Sequence, residues 1–277
     1  MAAASGFARC LPAWGRYRFA GWFGRTVSRF FPEKRRAVLR NLTVINAWSG
    51  RQFVENRVFE NFGHTLADFL TQTPVSIQIE GREKAEEARR RGRGVLFLTS
   101  HLGNWELGGR ILADWGWPVT AVYQPYRSRA MQDFIQRRRA PGFQYLAVGK
   151  GAALGVARVL GRRETVAILA DRPFGEEGVT VSLCGKPARL PWGPFLFACR
   201  YGAPLIPGFV LKETPGHYRV VVEDPLWPQG RGARGAKELM DRLARILENY
   251  LSLYGDQWYC FEPVWDETKI VVPSPGV

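Results

Sequence analysis

The densest chemistry in the 277-residue chain lies in one run, Ser100-His101-Leu102-Gly103-Asn104-Trp105-Glu106. His101 is one of three histidines in the chain, and Glu106 follows it by five residues. On a single regular helix that spacing separates two side chains by roughly 140°, so they would face apart. With His101 in a strand-to-helix turn and Glu106 in the first helical turn, they can meet. Gly103 allows a tight turn and Asn104 is a natural N-cap. Glu106 would then accept the proton of one ring nitrogen, and the other nitrogen would take a proton from a substrate hydroxyl. That is general-base chemistry with an orienting acid and no protein nucleophile. The competing reading is a buried histidine that only ties down a turn.

A metal is not expected. One His and one Glu supply two ligands, and Cys10, Cys184, Cys199 and Cys260 are scattered without a close pair. The chain has neither a P-loop nor a dinucleotide fingerprint. Gly108-Gly109 suits close contact between a helix and a sheet. Gly149-Lys150-Gly151 precedes a helix and could hold an anion. His64 reads as structural.

The elements around this run read as α/β. Strands are predicted at 75–80, Val95–Thr99, Val119–Tyr123, Tyr145–Val148, Val166–Ala170, Leu205–Leu211 and Tyr218–Val222, with an extended arm at Val179–Leu183. Helices are predicted at 82–91, Trp105–Trp115, 128–139, 151–161, 192–201 and 234–252. This order implies a mixed, mostly parallel central sheet flanked by helices, and the first central strand runs straight into His101. Ligands of open α/β sheets gather at such strand ends. Residues 1–74 read as an N-terminal helical region, 75–265 as the α/β core, and 266–277 as an irregular tail.

No stretch of 18 apolar residues occurs, so no membrane-spanning helix is expected, and the N-terminus lacks the pattern of a signal peptide. Residues 12–31 instead predict an amphipathic helix that ends at Pro32. Phe19, Trp22, Phe23, Val27, Phe30 and Phe31 follow helical spacing, and Arg18, Arg25 and Arg29 lie nearer the other side. Two readings compete: a helix docked on the core, or one lying in a bilayer interface with Trp14, Trp22, Phe23 and Phe30 down and arginines against lipid phosphates. The net charge of +14, with a pI of about 10.1, suits an anionic partner, either lipid or nucleic acid. No nucleic-acid motif is present, and many arginines lie beside aromatics in amphipathic segments, so lipid is the expected partner.

With these residues in view, the chain resembles the bacterial lipid A biosynthesis acyltransferases, and equally the related phosphatidylinositol mannoside acyltransferases, from about Leu11 to Trp265. His101 to Glu106 matches the family's block of a His, four residues and an acid. Arg36 to Asn41-Leu42, Tyr123-Gln124-Pro125 with Arg137 to Arg139, Asp171-Arg172 with Gly185 to Pro194, and Gln257-Trp258 with Trp265 resemble its other segments. The Asp-Arg pair is closer to the mannoside-acylating branch. Ser128 and Leu183-Cys184 depart from the usual residues.

The resemblance implies a glycerolipid-acyltransferase-like fold and an O-acyltransferase acting on a membrane glycolipid, of lipid A precursor type or, alternatively, a phosphatidylinositol mannoside. It places the protein at the cytoplasmic face of the inner membrane; lipid A acyltransferases usually begin with a transmembrane helix, but residues 1–31 carry arginines every few positions, so peripheral attachment is expected here. His101 would be the base and Glu106 its orienting partner. Acyl carrier protein or coenzyme A would present the acyl thioester, with no bound cofactor. Oxyanion and donor-binding candidates are backbone amides near Gly103 and Asn104, together with Arg137, Arg138, Arg139, Lys150, Asp171, Arg172 and Arg189. Trp105, Leu107, Leu112, Phe195 and Phe197 could line an acyl tunnel. Competing hypotheses are a nucleic-acid-binding protein and a lipid-surface scaffold without catalysis.

Overall fold

The computed structural model describes residues 12–139, 142–173 and 178–265. Cys10 and the tail from 266 lie outside the described residues. Three helices come first: α1 (Ala13–Ser28), α2 (Pro32–Ser49) and α3 (Glu55–Thr71). The core follows as β1 (Ser76–Glu80), α4 (Arg82–Arg90), β2 (Val95–Thr99), α5 (Trp105–Asp114), β3 (Val119–Tyr123), α6 (Arg129–Gln136), β4 (Gln144–Ala147), α7 (Ala152–Gly161) and β5 (Thr165–Leu169). A hairpin, β6 (Val179–Leu183) and β7 (Lys186–Leu190), precedes α8 (Gly193–Tyr201), β8 (Leu205–Thr214), β9 (His217–Val222) and the long α9 (Gly232–Tyr254).

Among the described residues, seven strands form one sheet in the order β1-β9-β8-β2-β5-β3-β4. Every neighbouring pair is parallel except β8 with β9. The expected fold class therefore holds. β7 was not expected as a strand: Cys184 and Gly185 both take positive φ, which makes a two-residue hairpin turn of the kind that suits the twist of two strands.

Side-chain alternation along β2 shows why helices cover both faces. Leu96 and Leu98 enter the large core cluster with α7, α8 and α9, while Val95 and Phe97 point into a separate cluster with Trp117, Val119 and Ile206. Four consecutive residues of β2 are buried, as a strand covered on both faces requires.

The N-terminal helix docks on the core through one face and leaves its aromatic stripe exposed on another. Its buried residues include Tyr17, Gly21 and Ser28, with Gly24 on the same stripe. That stripe packs on α3 so closely that a Cβ on Gly24 would lie 2.2 Å from the carbonyl oxygen of Phe59. The aromatic stripe is left outside. Trp14 is 71% exposed and Phe30 76%, and Phe19, Trp22, Phe23 and Phe31 are also exposed. Small residues pack because they let two helix backbones approach; the bulky stripe would hold them apart. Arg25 does not join an outward face, because it pairs with Glu60 of α3 at 2.7 Å. Arg18 and Arg29 are exposed.

Beneath this contact lies a buried polar network. The Tyr17 and Tyr218 hydroxyls donate to the two oxygens of Asp68, the first at 2.6 Å. Lys212 Nζ reaches Asn61 Oδ1, and it donates to His64 Nδ1 at 2.9 Å. His64 is thus structural. Burial, reinforced by the Lys212 charge, pulls its pKa down to about 4. Between pH 6.5 and 4 the unfolded chain binds a proton at this residue that the folded chain refuses. The stability that neutral His64 allows is therefore full above pH 6.5 and is lost as pH falls through that window, by about 3 kcal/mol. Burial pushes Asp68 and Asp256 the other way. The diagnostic quantity is therefore the difference between wild type and His64→Gln in denaturant unfolding across this range. That difference is expected to depend steeply on pH between 6.5 and 4, and to be flat above it; a pH-independent difference would refute the assignment.

Candidate active site

The sheet itself assembles the site. β2 and β5 run parallel with Thr99 opposite Leu169, so the residues two positions beyond each strand end, His101 and Asp171, emerge side by side. Asp171 Oδ1 accepts from His101 Nδ1 at 2.9 Å, and Oδ2 accepts from the His101 backbone N–H at 3.1 Å. A carboxylate only accepts, so Nδ1 carries the proton and Nε2 is left as the basic nitrogen. The Asp171 side chain is wholly buried, whereas the His101 ring is partly open. Burial alone would raise the Asp171 pKa. The His101 charge and hydrogen bond, the Trp258 indole and the His101 backbone N–H outweigh it and hold the pKa at about 2.

This corrects the expected partner of His101. Glu106 sits in the first turn of α5, and its carboxylate grips Arg139 instead, at 2.9 Å from Nη2 and 3.2–3.3 Å from Nε. The physical reason is where α5 starts. The helix begins at Trp105, which directs Glu106 toward the end of α6, while Asp171 reaches His101 through strand pairing. Arg139 lies between the Tyr123 and Tyr145 rings, 5.6 and 5.4 Å from their centroids, and its Nη1 is buried without a hydrogen-bond partner.

The expected oxyanion amides are also taken. Gly103, at φ +68°, donates its N–H to the Gln257 carbonyl at 2.9 Å, and the Asn104 N–H donates to the Val210 carbonyl at 2.8 Å. A Cβ on Gly103 would lie 1.9 Å from the Val210 oxygen, so the turn is pressed against β8 with both of these amides engaged. Asn104 does cap the helix, its Oδ1 accepting from the Leu107 N–H at 3.1 Å.

Residues 257–260 form a strap over this turn that chemistry-bearing residue types alone did not reveal. Tyr259 N–H donates to the His101 carbonyl at 2.8 Å, Leu102 bridges to Trp258, and the Trp258 indole N–H donates to Asp171 Oδ2 at 2.8 Å. Asn41 of α2 holds the strap's continuation: its Nδ2 donates to the carbonyls of Cys260 and Glu262, and its Oδ1 accepts from the Val264 N–H. The Trp265 indole donates to the Leu183 carbonyl at 2.9 Å.

Of the other candidates, Arg172 meets Glu262 at 3.5 Å and Arg189 donates to the Gly178 carbonyl at 3.1 Å. Arg138 lies over the Phe134 ring, and Arg137 and Lys150 are exposed at the end of α6 and in the turn after β4. No three His, Cys, Asp or Glu residues come together as a metal site among the described residues.

An apolar cavity of about 130 Å³ lies between α5 and the sheet. Its walls draw on six adjacent strands, from Val220 of β9 to Tyr145 of β4, a span of roughly 24 Å at ordinary strand spacing. Glu106, Arg139, Tyr123, Tyr145 and Thr99 are polar residues of its lining, and Gly108 and Gly109 leave room beneath the helix. Trp105 and Leu112 line it as expected. Leu107 belongs to a neighbouring cluster with Val210 and Tyr218, and Phe195 and Phe197 belong to the large core with α7 and α9. Trp105 links the cavity to His101: it forms part of the wall, and its ring meets that of His101 edge-on at 5.2 Å.

The family model for bacterial lipid A biosynthesis acyltransferases matches residues 2–267. The chain belongs to this family. Among curated proteins, a phosphatidylinositol mannoside acyltransferase of Mycobacterium tuberculosis is 27% identical over 191 residues, covering 68% of this chain and 59% of the relative. The lipid A biosynthesis palmitoleoyltransferase of Escherichia coli K12 is 24% identical over 164 residues, 55% of this chain and 53% of that one. The chain thus spans a little over half the length of these relatives. A crystal structure of the 1-acyl-sn-glycerophosphate acyltransferase of Thermotoga maritima covers 78% of this chain and 98% of that chain, with 13% identity and a TM-score of 0.38. The run around His101, the pair Asp171-Arg172 and the segment Gln257-Trp258, separate in sequence, converge on one carboxylate, that of Asp171.

Proposed function

We propose that this protein transfers a fatty acyl group from a thioester donor to a hydroxyl of a membrane glycolipid, working at an anionic bilayer surface. One observation carries the reading: a buried-carboxylate-oriented histidine stands beside an apolar cavity, with Trp105 belonging to both. His101 Nε2 takes the proton of the acceptor hydroxyl as its oxygen attacks the thioester carbonyl. The tetrahedral intermediate collapses, the C–S bond breaks, and the departing thiolate takes the proton back from the imidazolium. The products are an ester and a free thiol, and no bond to the protein forms. With the Gly103 and Asn104 amides engaged, the oxyanion needs side-chain donors, and Arg172 beside Asp171 is the nearest in sequence. The acyl chain occupies the cavity under α5.

Six exposed aromatics on α1 and its exit form a patch of the kind that marks an interaction surface, and Arg18 and Arg29 flank it. Among the described residues, no helix is long and apolar enough to cross a membrane. Attachment from one side through this patch fits both facts. Acyl carrier protein and coenzyme A are the donor choices; Lys150 and Arg137, exposed on the loops beyond β4 and α6, suit the phosphate that either would bring.

The test is acyl transfer from lauroyl- and palmitoyl-charged donors to a panel of lipid A precursors and phosphatidylinositol mannosides, read by mass spectrometry. Acceptors are supplied in anionic vesicles and, separately, in detergent. One acceptor is expected to gain one acyl chain, and His101→Ala to abolish the gain in both settings. The Trp14→Ala/Trp22→Ala/Phe23→Ala variant is expected to lose transfer in vesicles and keep it in detergent. Transfer that survives His101→Ala would reject the base, and an unaffected triple variant would reject the membrane face.

A further inference from the structure

The carboxylate that orients His101 has a third donor from outside the strand ends. Asp171 lies wholly buried and takes two hydrogen bonds from His101, at its backbone and at Nδ1, and one from the Trp258 indole at 2.8 Å. The indole is itself buried, held by the bridge to Leu102 and by an edge-on contact with Trp265 at 5.8 Å between ring centroids. A desolvated carboxylate depends on each such donor, and hydrogen bonds to a charged group are the stronger class.

We propose that Trp258 is a positioning residue of the base: its indole N–H shares the charge of Asp171 and thereby sets how strongly Asp171 draws the proton of His101. Without that donor, the carboxylate beside neutral His101 loses more than the carboxylate beside imidazolium, whose charge is already compensated by the ring. Removing the indole N–H therefore favours the protonated pair, and the base becomes harder to deprotonate.

The other groups around this pair leave the effect readable. Burial pushes the Cys260 thiol up to about 12, and it pushes the Tyr259 hydroxyl up as well. Arg172 is paired with Glu262, and Glu106 with Arg139. The strap also supplies a matched control. The Trp265 indole makes a bond of almost the same length to a main-chain carbonyl, that of Leu183 at 2.9 Å, with no contact to the carboxylate.

The kinetic arm rests on the acyl-transfer reading; the spectroscopic arms do not. In Trp258→Phe, the His101 midpoint, followed by imidazole NMR in a chain with three histidines, is expected to move up by about half to one pH unit. The acid limb of kcat/KM moves with it. Trp265→Phe is expected to shift neither, while losing comparable stability. A second measurement needs no variant of Trp258: in the wild-type protein its indole N–H resonance is expected to inflect at the His101 midpoint, and to lose that inflection in His101→Gln. An unmoved His101 midpoint in Trp258→Phe, or a flat Trp258 indole signal through that midpoint, would overturn the proposal. If no acceptor on the panel is acylated, the functional reading fails while the two NMR arms still decide the role of Trp258.

Discussion

Asp171→Asn is expected to lower kcat by about 10³- to 10⁴-fold with little change in KM and a fold that stays intact. The carboxylate accepts Nδ1–H, which fixes the tautomer and leaves Nε2 basic; it also sits where the imidazolium charge develops. An amide in its place presents an N–H toward a donor and stabilises no charge. The loss therefore falls on the transition state, where the charge appears, more than on binding. Because Asp171 is held at about 2, it stays ionised across the physiological range, and the acid limb of the wild-type profile belongs to the base alone. A kcat for Asp171→Asn within about tenfold of wild type would show that this contact does not act in the transition state.

Glu106→Gln is expected to behave in another way. The Glu106–Arg139 pair is largely shielded, with side chains 19% and 13% exposed. Removing one member leaves a guanidinium between two tyrosine rings without its counter-charge, at a cost of about 3 kcal/mol in stability. Glu106→Gln/Arg139→Gln removes both charges and is expected to recover most of that loss, as a double-mutant cycle in chemical denaturation would show. The pH profile of the single variant is expected to keep its acid limb, since the His101 tautomer is set elsewhere. A shifted limb with unchanged stability would return Glu106 to the role its spacing suggested.

Those two expectations mark where reading along the chain stops working. The strand run Val95–Thr99, the turn glycine, the Asn cap and the helix that follows were all legible, because each depends on neighbours within a few residues. So was the place of His101 in the strand-to-helix turn. The partner of His101 was not, because five residues of separation offered Glu106 as the nearest acid in sequence, whereas Asp171 lies 70 residues away in sequence and arrives through the parallel pairing of β2 with β5. The strap is a similar case. Trp258 is 87 residues from the carboxylate it serves, and nothing local in Gln257-Trp258-Tyr259 announces a role beyond an aromatic cluster.

The N-terminal helix shows the same division at the level of packing. Periodicity alone gave an amphipathic helix and placed its aromatic stripe. It could not say which stripe faces protein, because burial is a property of the partner. The close approach of α3 selects the Tyr17, Gly21, Gly24 and Ser28 side and leaves the aromatics outside. What the sequence determined by itself was therefore whatever short-range chemistry decides: the alternation of strands and helices, their ends, the capped turn at His101, and a basic, aromatic-rich character suited to an anionic surface. Only the tertiary structure decided which carboxylate meets His101, which amides are already bonded, which aromatics are exposed and where an apolar cavity opens, because each of these depends on strand order and helix contacts between residues far apart along the chain.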